Sequence, residues 1–163
     1  MAALILRPHC YLESYSIKDI QILEMDYSEA KTETPMLAKA KLENFGVDFC
    51  VMIDCTGSMG SYINMSRNKI KDIIKQVKEQ YAESQIRVAI VAYRDIRDAN
   101  RYEVFHFSED VDKAKKFLDG LQACGGGDIP EDVNGGFRKV LYELKWQSPI
   151  RTLVHVADAP CHG

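Results

Sequence analysis

A chain of 163 residues with 46% hydrophobic and 28% charged residues forms one domain with a real core, and its net charge of −3, without any Lys/Arg run, excludes a nucleic-acid or anionic-membrane surface. Five irregularly spaced cysteines and the lack of a signal-peptide pattern point to a reduced, cytoplasmic chain. No apolar stretch is long enough to insert into a membrane.

Residues 1–43 read as a partly ordered N-terminal extension without chemistry. Within it, Ile17 to Met25 has no clean period, and Leu37 to Phe45 suggests a brief helix stopped by Gly46. From residue 44 the pattern sharpens into one α/β domain reaching 163. Val47 to Ile53 is a short apolar run rich in β-formers that stops at Asp54, as a buried parallel strand does. Thr56 and Ser58 follow at alternate positions. Ser58 is placed to cap a helix whose apolar face is Ile63, Ile70, Ile73, Ile74 and Val77, running to about Tyr81.

Ile86 to Tyr93 is a second buried strand. After the charged turn Arg94 to Arg101, Tyr102 to Phe107 alternates like an edge strand. That connection is too short for a parallel crossover, so this pair is antiparallel. Val111 to Leu121 is helical, the glycine-rich stretch Cys124 to Val133 follows, and another helix reaches about Trp146. Thr152 to Ala157 is the last strand, ending at Asp158. Helices on both faces of a mostly parallel sheet are expected. Nothing after the last strand can pair its free edge, so the reading predicts a truncated domain, or one completed by another chain, with poor solubility.

Asp54, Thr56, Ser58, Asp128 and Asp158 thereby fall in three loops at the carboxyl rim of one sheet, where ligands bind in open α/β folds. Hard oxygens gathered there suit Mg²⁺, with Mn²⁺ or Ca²⁺ as alternatives. Each has a purely structural role to weigh against this. Ser58 can cap its helix. Asp128 can cap the next one, with Pro130 in its first turn and Glu131 as capping-box partner. Asp158 can open a turn. Asp95 either supports the site or pairs with Arg94 or Arg97. His106 and His155 read as packed strand residues, His162 as a tail residue, and Cys55 and Cys124 lack the paired spacing of a zinc site.

Asp54-Cys55-Thr56-Gly57-Ser58 resembles the D-x-S/T-x-S signature of von Willebrand factor A (vWA) domains, whose metal-ion-dependent adhesion site binds Mg²⁺. The runs 125–133 and 155–163 look closest to vWA domains attached to alpha-type protein kinases of slime moulds, fungi and protists. The resemblance implies a Rossmann-like three-layer sandwich, mostly parallel with one antiparallel edge strand, here truncated after strand four. It also implies a non-catalytic, metal-dependent domain that binds a protein ligand. The family's usual fourth ligand is a Thr, which falls on Asp128; its fifth, an Asp, matches Asp158. A third carboxylate predicts firmer metal retention and a weaker pull on an acidic partner. The rival is a haloacid-dehalogenase-like phosphotransferase with Asp54 as nucleophile. It lacks a clear catalytic Lys, and its Asp-containing glycine loop should follow a strand, not a helix.

Overall fold

The computed structural model describes residues 2–6 (backbone only), 46–80, 82, 84–127 and 131–159. The elements expected at 17–25 and 37–45 lie outside these residues, as do Asp128 and His162. Five strands form one sheet: β1 (Ala2–Leu6), β2 (Val47–Asp54), β3 (Ile86–Tyr93), β4 (Tyr102–Ser108) and β5 (Ile150–Val156). Their spatial order is β1-β5-β2-β3-β4. Every pairing is parallel except β3 with β4, which is antiparallel with an irregularity between Val88 and Ile90.

The central strand is β2, and all eight of its residues are buried. A strand presents successive side chains to opposite faces, so β2 feeds two cores. Phe49, Val51 and Ile53 pack with Val88, Ile90 and Ala92 beneath helices α1 (Ile63–Gln80) and α2 (Val111–Gly120). Cys50 and Met52 pack on the other face with Ala89, Val91, Tyr93 and Leu153, under the short helix α3 (Val133–Arg138) and the π turn that extends it over Lys139–Glu143. These are the three layers expected of the fold. Helix α3 comes very close to the sheet: a Cβ on Gly136 would lie 3.0 Å from Met52 Sδ and 3.1 Å from the Tyr93 ring. Only a glycine lets the two backbones approach this closely without displacing core atoms.

Three expectations are corrected. The outer edge of β5 is not bare, because Ala2–Leu6 pairs along it in parallel, from Ala2 opposite Thr152 to Leu6 opposite Val156. The solubility argument built on that edge therefore falls. Ser58 does not cap α1. It lies inside a 3-10 turn, Gly57–Ser61, that precedes the helix, and its hydroxyl is engaged elsewhere. The cap of α3 is Asp132, whose carboxylate accepts from Gly135 N at 3.0 Å, which leaves Glu131 free of the capping-box role.

Candidate functional site

Strand β2 ends at Asp54, and the chain turns at once into the 3-10 turn. That tight exit folds the next two hydroxyls back over the strand end. Asp54 Oδ1 accepts from Thr56 N at 2.8 Å and from Thr56 Oγ1 at 2.7 Å. Thr56 Oγ1 lies 3.2 Å from Ser58 Oγ, and Ser58 Oγ donates to Asp158 Oδ1 at 3.0 Å. Four of the five residues expected at the site thus line up as one row of oxygens across two loops, hydrogen-bonded at each end, with the two hydroxyl oxygens 3.2 Å apart in the middle. Asp54 and Thr56 are completely buried, while Ser58 is exposed and Asp158 half-buried, so the row runs from the interior to the surface. Asp128, the fifth, is outside the described residues.

A second loop closes over the first. Residues 121–127 run alongside the end of β2, with Cys124 N donating to Cys55 O and Gly57 N to Gly125 O, each at 3.0 Å. Gly125 and Gly126 take φ values of 77° and 75°, a left-handed conformation that favours glycine. Asp98, from the turn between β3 and β4, holds this loop by accepting from Gly126 N at 3.0 Å. It also accepts from Asp95 N at 3.1 Å. Arg94 bonds Glu103.

The site contains one carboxylate that the sequence reading assigned only to capping. Glu131 is 3% exposed and takes a hydrogen bond with the Thr56 side chain, and its Oε2 has no partner. Asp54 Oδ2 is equally buried and unpartnered. An orphaned buried carboxylate oxygen is costly, and the protonation equilibria show it. Burial, reinforced by the Asp158 charge, pushes Asp54 up to about 6 against the Thr56 hydrogen bonds. Burial and the charges of Asp54 and Asp95 push Glu131 up to about 7. Each group holds a proton more readily in the fold than in the open chain. Their contribution to stability is therefore present in acid and is lost as pH rises through about 6 and 7. His155, hydrogen-bonded to Tyr93 at 2.8 Å and held down to about 4 by burial, works in the opposite sense, but only below its ordinary value of 6.5. The chelated protein is thus expected to lose stability between about pH 6.5 and 8. Urea denaturation across that range checks this, with Glu131→Gln flattening the slope.

Among the described residues, no three His, Cys, Asp or Glu side chains gather closely enough to hold a metal by themselves. A cation here would depend on the Thr56 and Ser58 hydroxyls as well as on carboxylates. The donor set fits such an ion: hard oxygens only, with two unpartnered carboxylate oxygens in place.

A family model described as von Willebrand factor A domain matches residues 48–161, spanning β2 through the Asp158 turn. The chain belongs to the von Willebrand factor A domain family. It is 33% identical over 142 residues to the alpha-protein kinase vwkA of Dictyostelium discoideum, covering 86% of this chain and 23% of that protein. It is 28% identical over 116 residues to an ariadne-like RING finger protein, R811, of Acanthamoeba polyphaga mimivirus, covering 71% of this chain and 11% of that one. The chain therefore spans less than a quarter of the length of either relative. Membership of the vWA family suggests a role in protein interaction. No helix among the described residues is long and apolar enough to cross a membrane.

Proposed function

We propose that this vWA domain is a non-catalytic, divalent-cation-dependent protein-interaction module. In this reading Mg²⁺ is held by Asp54, Thr56, Ser58 and Asp158, with Asp128 contributing from the glycine-rich loop and Glu131 beside them. The observation that carries it is the row of oxygens Asp54–Thr56–Ser58–Asp158, whose buried end has an oxygen, Asp54 Oδ2, with nothing to bond. When bound, the cation supplies a positive centre for an oxygen of the partner protein. The residues do the rest: Asp54 and Glu131 give the charge, Thr56 orients Asp54, and Ser58 ties the first loop to Asp158.

Complete burial of Asp54 fits a ligand better than a nucleophile, since an attacking carboxylate must meet its phosphoryl group. Kinase activity is not carried over from the Dictyostelium relative, most of whose length lies outside the match. A cytoplasmic setting is consistent with Cys50, Cys55 and Cys124, which are free thiols.

The test is thermal unfolding of the chelated protein with added MgCl₂. A ligand at 100 times its Kd adds about 2.7 kcal/mol, so the midpoint should climb with Mg²⁺ and stay fixed in Asp54→Asn. A wild-type midpoint indifferent to millimolar Mg²⁺ would overturn the proposal. The third carboxylate is tested separately by Asp128→Thr, which should bind Mg²⁺ more weakly; equal or tighter binding would remove Asp128 from the site.

A further inference from the structure

We propose that Arg94 is the positioning residue of the cation site: its hydrogen bonds go to Asn100, Glu103 and Gln122 rather than to Asp54, Thr56, Ser58 or Asp158, yet it fixes the loop that sets their spacing. The inference rests on the cation reading above and extends it to how the site chooses its ion.

Arg94 follows directly after β3 and is 2% exposed. Its guanidinium reaches three separate segments. Nη1 donates to Asn100 O at 2.7 Å, while Nη2 donates to Glu103 Oε1 at 2.7 Å and to Gln122 O at 2.8 Å. Its own backbone N donates to Arg101 O at 2.9 Å. The turn between β3 and β4, strand β4 itself and the root of the 121–127 loop are therefore pinned to one planar group.

The loop passes this constraint on. Two residues beyond Gln122, Cys124 N bonds Cys55 O, and Gly57 N bonds Gly125 O. Those bonds bracket Thr56, the residue that orients Asp54. From the other side, Asp98, also in the turn that Arg94 holds, takes the Gly126 amide. Moving Gln122 would let the whole strip slide against Thr56.

What sets Arg94 apart is the shape of its group. Among the described residues its ion-pair partner is Glu103, 39% exposed, and the same planar fork also serves two backbone carbonyls. A lysine could hold one of the three acceptors but cannot span them, because it lacks the rigid fork.

The consequence is cation selectivity. Mg²⁺ demands near-ideal octahedral geometry with short bonds, whereas Ca²⁺ accepts longer and irregular ones. A strip held rigidly favours Mg²⁺, and a strip released should penalise Mg²⁺ far more than Ca²⁺. Simple loss of fold would lower both affinities together.

The experiment is calorimetric titration of the full 163-residue chain with Mg²⁺ and with Ca²⁺, in wild type and Arg94→Lys. Folding is followed through Trp146, which packs edge-on against Phe107 at 4.8 Å. Arg94→Lys should keep the Trp146 signal and lose about 10- to 100-fold in Mg²⁺ affinity, as supporting residues of metal sites do. Ca²⁺ affinity should fall much less, so the Mg²⁺:Ca²⁺ ratio drops. A folded variant with an unchanged ratio overturns the proposal. If Arg94→Lys does not fold, Glu103→Gln, which removes the countercharge but keeps both carbonyl contacts, should move the ratio in the same direction; no movement again overturns it. Failure of the underlying cation reading would appear in the wild type, as binding of neither ion, and is thus distinct.

Discussion

Replacing Asp48 by alanine is expected to cost about 3–5 kcal/mol, the range for stripping one partner from a buried ion pair. Asp48 is the second residue of β2, at the end opposite the site, and is completely buried. Its Oδ1 accepts from Arg87 Nε at 2.8 Å and Ser148 Oγ at 2.7 Å. Its Oδ2 accepts from Arg87 Nη2 and Gln147 N, both at 2.7 Å, and from Ser148 N at 3.0 Å. Five donors converge on one carboxylate, and alanine would abandon them all. Arg87 would keep its contacts to Gln147 Oε1 and the Phe107 ring but lose its countercharge. For a domain of this size the loss lowers the melting midpoint by about 10 °C.

The pH dependence carries the same signature. Burial alone would raise the Asp48 carboxyl, but the Arg87, Gln147 and Ser148 hydrogen bonds outweigh it and hold the group below its ordinary 3.8. Its stabilisation is complete above that value and disappears as pH falls through the folded one. Asp48→Asn should therefore weaken the protein at neutral pH while making it less sensitive to acid. Denaturant midpoints at pH 7 and pH 3 would show it. A neutral-pH midpoint unchanged in either variant would contradict the account.

The second large effect is expected from Gly125→Ala. The position has φ of 77°, and a Cβ there would sit 2.3 Å from both Asp98 carboxylate oxygens. The left-handed conformation costs a side chain about 1–2 kcal/mol. Displacing Asp98 adds about 1 kcal/mol for each of its two hydrogen bonds, to Asp95 N and Gly126 N. The total is about 3–4 kcal/mol, and it falls on the loop that closes the site, so Mg²⁺ affinity should drop along with stability. Gly60→Ala is the control, since a Cβ there meets nothing within 4 Å. Urea denaturation and Mg²⁺ titration of the two variants side by side make the comparison; equal behaviour would refute it.

Much of this could be read from local pattern. The buried runs of β2, β3 and β5 announce themselves by β-branched content, and the eight-residue turn before Tyr102 dictates an antiparallel neighbour. Asp54, Thr56, Ser58 and Asp158 could be placed on one rim because strand ends locate their own loops. What escaped depends on contacts distant in sequence. The five residues of β1 carry no sign that their partner lies about 150 positions away, opposite Thr152. Glu131 was disguised by a cap pattern that fitted Asp128, whereas Asp132 does the capping and turns Glu131 inward. Arg94 reads as one charge in a charged turn, and only the packing of Asn100, Glu103 and Gln122 around it reveals a buried hub.

The two ends of β2 divide the labour of the domain. Asp48 and Asp54 stand six residues apart on one strand, both wholly buried, one with every lone pair engaged and the other with an oxygen to spare. Substitutions at exposed rim positions such as Ser58 can therefore alter the rim without touching the clasp that keeps the sheet folded. Such a strand is well suited to divergence. Successive descendants can change their ligand at one end while selection on folding acts at the other, and an engineer could redesign the rim with the same freedom.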